Sequence, residues 1–155
     1  VRSRGLGDVY KRQMLEALRR RLKPALNHAG TPLEIEASEP AIIDCDKLRI
    51  EQVLRNLIVN SSQSMPEGGQ IHAHLDVDPG QARLIIRDSG PGFSSEALDR
   101  FGEPFFSERE GGMGIGLTLA REVIQAHDGS IEASNQPGGG AQVMITLPLS
   151  VENQK

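Results

Sequence analysis

Asp88-Ser89-Gly90-Pro91-Gly92 opens, and Gly111-Gly112-Met113-Gly114-Ile115-Gly116-Leu117 closes, the stretch around which the rest of this 155-residue chain is organised. Between the two glycine clusters lie Phe93, Phe101, Phe105 and Phe106, which are all four of the chain's phenylalanines. Glycine lacks Cβ and so lets backbone come close to a neighbour or a ligand. The second cluster runs directly into Leu117-Thr118-Leu119-Ala120-Arg121-Glu122-Val123-Ile124, which reads as a helix. A glycine-rich loop feeding a helix N-terminus aims free N–H groups and the positive end of the helix dipole at one spot, a ready anion site. Phosphate is the first expectation from these residues.

Outward from that stretch, the length suits one domain with a substantial core. No apolar run approaches the roughly 20 residues needed to span a bilayer, so no direct membrane contact is expected. Cys45 is the sole cysteine, which rules out an internal disulfide and favours a reducing compartment. It follows a short apolar run and is expected to be a small buried residue rather than a reactive thiol. Residues 1–13 look foreign: Arg2, Arg4, Lys11 and Arg12 stand against Asp8 alone, with no apolar periodicity. They resemble an adaptor-derived tail and are expected to be a non-native addition to a domain over residues 14–149, followed by a short C-terminal tail, 150–155. The whole chain carries −4, and removing that net +3 leaves a clearly acidic body at −7. Without a basic stripe, nucleic acid is not an expected partner.

The body starts with a helix over residues 14–27, with Leu15, Leu18, Leu22 and Leu26 at helical spacing. Pro24 is expected to kink or tighten its last turn. Strands over 33–37 and 41–43 follow. Asp46 can cap a long amphipathic helix, 47–65, with Leu48, Val53, Leu54, Leu57 and Ile58 on its core face. Asn56 and Asn60 lie four apart and are therefore neighbours on that helix, with Gln63 one turn further on. Asparagine is a mediocre helix former, so two stacked amides need either solvent exposure or a function as their reason. Residues 70–77 and 82–88 read as a hairpin around Asp78-Pro79-Gly80, with His72 and His74 on one face and no third metal ligand in view. A second hairpin, 130–134 with 142–147, turns at Gln136-Pro137-Gly138-Gly139-Gly140. His127-Asp128-Gly129 reads as a helix C-cap with glycine left-handed and His127 structural.

Taken together the motifs are recognisable. Asn56-Leu57-Ile58-Val59-Asn60 resembles the N box of bacterial sensor histidine kinases, and Asp88-Ser89-Gly90-Pro91-Gly92 their first glycine box. Phe101-Gly102-Glu103-Pro104-Phe105-Phe106 resembles their F box, and Gly112-Met113-Gly114-Ile115-Gly116-Leu117 their second glycine box. Order and spacing agree over nearly all of residues 14–149. The run 60–69 and the Phe-Phe-Ser pattern look closest to the nitrogen-regulation and oxygen-sensing branches.

The resemblance implies an α/β (α+β) two-layer sandwich, the Bergerat ATP-binding fold, with a mixed, mostly antiparallel sheet on about three helices. It implies ATP and Mg²⁺ as cofactors. Asp88 would accept a hydrogen bond from the adenine amino group, since an ionised carboxylate is acceptor-only. Gly90 and Gly92 would turn the chain beside the base. Asn56, Asn60 and Gln63 would face the phosphates, with Asn60 holding Mg²⁺ through its side-chain oxygen, as hard cations require. Gly112, Met113, Gly114, Ile115, Gly116 and Leu117 would wrap the phosphates. Residues 102–111 would form a lid, loosely held without nucleotide. Apart from the resemblance, the clustering of phenylalanines suggests that Phe101 or Phe105 fixes that lid and Phe106 contacts the partner, the alternative being that all three are core side chains beneath a loop.

The chain departs from the family pattern in three places. Gln63 stands where a lysine is frequent, Arg109 replaces a lid lysine and is the expected catalytic charge, and Ala141 replaces a threonine near the base pocket. No His-Glu motif with its following proline is present, nor any sensor domain. The chain therefore reads as the catalytic, ATP-binding piece of a protein histidine kinase, cytoplasmic, from a parent that is open to membrane anchoring. It would donate the γ-phosphate to a histidine on a separate dimerisation domain of the same kinase, with a response regulator downstream. Rival readings on the same fold are an ATPase of the gyrase, chaperone and mismatch-repair kind, an anti-sigma serine kinase, or a degenerate nucleotide-sensing module. The first two favour glutamate where this chain has Asn56, and an amide is no general base near neutral pH.

Overall fold

A computed structural model describes residues 8–37, 41–101 and 115–150, with side chains described from Met14 and, after the second gap, from Leu117. The chain runs β1 (Asp8–Tyr10), α1 (Lys11–His28), β2 (Leu33–Ala37), β3 (Ile42–Asp44), α2 (Lys47–Gln63), β4 (Ile71–Asp78), β5 (Gln81–Asp88), α3 (Ser95–Asp99), α4 (Ile115–Ala126), β6 (Ser130–Asn135) and β7 (Ala141–Pro148). Five strands form one sheet in the order β2-β4-β5-β7-β6, parallel between β2 and β4 and antiparallel elsewhere. The expected mixed, mostly antiparallel sheet is what forms. A separate ribbon pairs β1 antiparallel with β3.

Alternation sets the layering. Along β4, Ile71, Ala73 and Leu75 are buried, and along β5 so are Ala82, Leu84, Ile86 and Asp88, while the residues between them face away. Strand β7 adds Val143, Ile145 and Leu147 to the same inner face. Helix α1 lays Met14, Leu15, Leu18, Leu22 and Leu26 into this core. Cys45 is likewise buried, as its apolar approach leads one to expect.

Helix α1 begins at Lys11, three residues ahead of the 14–27 expected from its leucines, and continues through Pro24. Thr31 N–H to the Leu26 carbonyl and Gly30 N–H to the Asn27 carbonyl close it. Strand β3 lies one residue beyond the 41–43 expected. In α2 the capping residue is Asp46, whose side chain accepts from Arg49 N–H at 3.3 Å, and the helix ends at Gln63 rather than 65.

Leu48 is a correction: it is 78% exposed, and Ile50 occupies the core instead. Ile50, Val53, Leu54, Leu57 and Ile58 fall at i, i+3, i+4, i+7 and i+8, one continuous stripe. Leu48, two residues before Ile50, points to the opposite side.

A second correction concerns the end of α4. The left-handed residue is Asp128, with φ 59°, and not Gly129. Gly129 N–H bonds to the Ile124 carbonyl and Asp128 N–H to the Gln125 carbonyl, the paired bonds of a Schellman cap with Asp128 at C′. Aspartate tolerates that conformation better than most residues do. Position 129 is glycine for space, since a Cβ there would lie 2.3 Å from the Thr146 carbonyl oxygen.

Candidate functional site

The first glycine cluster follows the end of β5, where Asp88 sits opposite Ile71 of β4 and only 6% exposed. Its Oδ1 accepts Gly90 N–H at 2.9 Å and Ala141 N–H at 3.2 Å, so the carboxylate is tied to its own turn and to β7. Its backbone carbonyl accepts Gln136 Nε2–H at 2.9 Å. Both described bonds of the carboxylate fall on one oxygen, which fixes the orientation of the group.

The glycines here answer to different demands. Gly92 has φ +82°, and a Cβ on it would lie 2.7 Å from Asn135 Oδ1. Gly140 has φ +96°, and its Cβ would meet the Asp88 carbonyl oxygen at 2.1 Å. At both, an L side chain is excluded by conformation and by space together. Gly90 carries no such φ; a Cβ there would crowd Met65, Ser64 and Asp88 Oδ1 at 3.0 to 3.2 Å.

Asp88 lines a cavity of about 130 Å³ between α2, the inner sheet face and the α3–α4 side. Leu57, Asn60 and Ser61 come from α2 and Ser64 from its C-cap, Ile86 and Val143 from the sheet, and Ala97, Phe101 and Leu117 from the far wall. Gly92, Phe93 and Ala141 complete it. The Phe93 and Phe101 rings meet edge to face at 6.2 Å and 73°, a favoured aromatic geometry. Arg121 of α4 donates from Nη1 to the Phe101 carbonyl at 3.1 Å, which anchors that residue from behind. The result is a mostly apolar slot with one carboxylate and one amide side chain along it.

Of the residues singled out in the sequence, Asn60, Asp88, Gly92, Phe93, Phe101, Leu117 and Ala141 are brought together on this cavity. Asn56 is half-buried and Gln63 exposed on α2, outside the residues that line it. Arg109, Phe105, Phe106, Gly112, Met113 and Gly114, with the expected lid over 102–111, lie outside the described residues. Ile115 and Gly116 open helix α4. Ser64 was missed although it stands one turn beyond Asn60, the spacing that puts two residues on one helical face. Ile86 and Val143 are indistinguishable in sequence from other core positions. Asn135 and Gln136 reach the site only through the β6–β7 turn.

Other polar candidates are engaged elsewhere. Glu51 pairs with Arg21 of α1 and does not line the cavity. His72 lies 3.5 Å from Glu34, and His74 stands between Glu36 at 3.2 Å and Asp76 at 3.0 Å, on the sheet face away from the helices. Among the described residues no group of three or more His, Cys, Asp or Glu side chains is placed to hold a metal. His127 is 5% exposed; its Nδ1–H donates to the Val123 carbonyl at 2.7 Å and its Nε2 accepts Asp46 N–H at 2.9 Å. A carbonyl only accepts and an amide N–H only donates, so these partners dictate the tautomer and the ring is structural, as expected.

The family of histidine kinase-, DNA gyrase B- and HSP90-like ATPases matches residues 45–151, a span that includes α2, the cavity and both hairpins. The chain belongs to this ATPase family. Sporulation kinase D of Bacillus subtilis is 35% identical over 125 residues, which cover 81% of this chain and 25% of that protein. The alginate biosynthesis sensor protein KinB of Pseudomonas aeruginosa is 37% identical over 109 residues, covering 69% of this chain and 18% of that one. The chain thus spans a quarter or less of the length of these two relatives. Among solved structures, the catalytic domain of the histidine kinase ThkA superposes with a TM-score of 0.85 at 23% identity, covering 94% of this chain and 96% of that one, a likeness of fold. The mycobacterial sensor histidine kinase MprB gives 0.77 at 26% identity, covering 88% and 95%. Among the described residues of this ATPase domain, no helix is long and apolar enough to cross a membrane.

Proposed function

We propose that the chain binds ATP–Mg²⁺ in the Asp88 cavity and serves as the catalytic piece of a sensor histidine kinase. In that role it donates the γ-phosphate to a histidine on a separate dimerisation domain of the same kinase, with a response regulator downstream. The observation that carries the reading is the buried Asp88 carboxylate, held through Oδ1 by two backbone N–H groups on the wall of a mostly apolar cavity. Such a slot accepts a flat, largely apolar ring system, and a fixed acceptor selects a ring that bears an amino group. Adenine meets both requirements, whereas a purine with a carbonyl at that edge would set oxygen against oxygen. A solved structure points the same way: full-length ShkA, at 25% identity, is in complex with AMPPNP.

The chain's own residues divide the remaining work. Phe93, Phe101 and Leu117 flank the base, and Gly112, Gly114 and Gly116 serve to bind the phosphates. Asn60 lines the cavity and carries an amide oxygen, a ligand type that suits a hard cation, and would hold Mg²⁺ through it. When bound, that ion supplies charge neutralisation at the phosphates. Arg109 adds a fixed positive charge from the lid, in compensation for Gln63 at the position of a frequent lysine. Water is poorly activated here. Asn56 is an amide, and Glu51 is held by Arg21 away from the cavity.

The test is a calorimetric titration of ATP–Mg²⁺ into the chain alongside a steady-state hydrolysis assay. Saturable binding with very slow turnover is expected. Turnover comparable to a dedicated ATPase would refute the kinase reading in favour of the ATPase one.

A further inference from the structure

The turn between β6 and β7 grips the loop that carries Asp88 with two consecutive side-chain amides. Asn135 Oδ1 accepts Phe93 N–H at 2.7 Å, and Asn135 Nδ2 donates to the Phe93 carbonyl at 2.8 Å. One amide thus satisfies both backbone groups of one residue, as a partner strand would. Gln136 Nε2 donates to the carbonyls of Asp88, at 2.9 Å, and Ala141, at 3.2 Å. The turn keeps its own shape through Gln136 N–H to the Gly140 carbonyl at 2.9 Å and Gly139 N–H to the Gln136 carbonyl at 3.0 Å. The grip also accounts for two glycines. A Cβ on Gly92 would strike Asn135 Oδ1, and one on Gly140 would lie 2.8 Å from Gln136 Nε2.

We infer that Asn135 and Gln136 are positioning residues of the nucleotide site, Asn135 setting Phe93 and Gln136 setting Asp88. Neither lines the cavity, so neither is in a position to touch the base directly. What they hold does line it: Asp88, and Phe93, whose ring meets Phe101 edge to face. Asn135 is exposed, so in its absence water satisfies the Phe93 backbone groups and the fold loses little. The site loses a preset geometry, which must then be ordered at the moment of binding. This inference rests on the reading of the cavity as an ATP site.

The experiment measures ATP–Mg²⁺ affinity by calorimetry and melting temperature for Asn135→Ala, Asn135→Asp and Asp88→Asn, with amide exchange at Phe93 as a local readout. With two hydrogen bonds at stake, Asn135→Ala is expected to weaken ATP binding roughly three- to thirtyfold, speed Phe93 exchange and leave the melting temperature nearly unchanged. Asn135→Asp keeps the acceptor for Phe93 N–H but sets its second oxygen against the Phe93 carbonyl, so it should weaken ATP binding at least as much as Asn135→Ala. If Asp88→Asn weakens ATP binding while Asn135→Ala does not, the positioning role is overturned and the site reading stands. A lowered melting temperature with ATP affinity retained also overturns it and makes Asn135 a structural tie. If Asp88→Asn itself leaves ATP affinity unchanged, the site reading fails and this inference fails with it.

Discussion

Replacing Asp88 by asparagine tests base recognition without dismantling the loop. In the parent chain, Oδ1 takes Gly90 N–H at 2.9 Å and Ala141 N–H at 3.2 Å. An asparagine meets those two donors only with its oxygen, because the reverse orientation sets an NH₂ group against two N–H groups. The amide nitrogen is therefore driven to the second carboxylate position, where it offers a donor to the adenine amino group, itself a donor. A hydrogen bond to a charged partner contributes ~1.5–3 kcal/mol, which corresponds to a roughly ten- to hundredfold loss of ATP affinity. The melting temperature should move little, since both backbone N–H groups keep an acceptor. Asp88→Ala is the contrasting variant: it leaves Gly90 and Ala141 N–H without their partner, at ~1–3 kcal/mol for each group shut off from water, and should lower the melting temperature as well. Calorimetry with ATP, and with a purine triphosphate lacking the amino group, supplies the ligand half of the comparison. The parent should prefer ATP, and Asp88→Asn should lose that preference. Unchanged ATP affinity in Asp88→Asn would remove this carboxylate from the site and refute the reasoning.

Other outcomes follow from the packing. Ile50→Ala, which empties a fully buried position, should cost ~2–5 kcal/mol in denaturant unfolding, whereas Leu48→Glu, at an exposed one, should stay within ~0.5 kcal/mol; equal effects would contradict the assignment of the α2 stripe. His127→Ala removes the acceptor for Asp46 N–H at the start of α2 and should cost ~1–3 kcal/mol of stability with ATP affinity retained, so a selective loss of ATP binding would argue against its structural role. Phe106→Ala is expected to lower phosphotransfer to a supplied dimerisation domain while melting temperature and ATP affinity hold, since aromatic anchors carry much interface energy. A large stability loss without a partner-specific defect would make Phe106 a core residue.

Much of the fold was legible because its signals are local. Period-two alternation in β4 and β5, with Pro79-Gly80 between them, specifies a hairpin and its inner face, and the register Ile71 to Asp88 follows from the turn. Asp46 announces the start of α2 because a capping side chain acts on its own first turn. Leu48 misled because an apolar residue in the first turn looks like core until the phase of the whole stripe is counted. Gly129 misled for a related reason. Glycine after a helix suggests a left-handed residue, but here Asp128 takes that role, and the glycine answers to Thr146, seventeen positions away in β7. At the site, Asp88, Asn60 and Phe101 carry chemistry in motifs of fixed spacing. The grip of Asn135 on Phe93 spans 42 positions and depends on how the β6–β7 turn packs against the Asp88 loop, which no local pattern encodes.

Phosphotransfer to histidine is tested with γ-labelled ATP, this chain and a histidine-bearing dimerisation domain supplied in trans. A histidine kinase domain should leave label on that partner that is labile to acid and stable to base, lost when the acceptor histidine is replaced, and reduced in Asp88→Asn. Label that is stable to acid, or release of phosphate at the rate of a dedicated ATPase with none transferred, would contradict it.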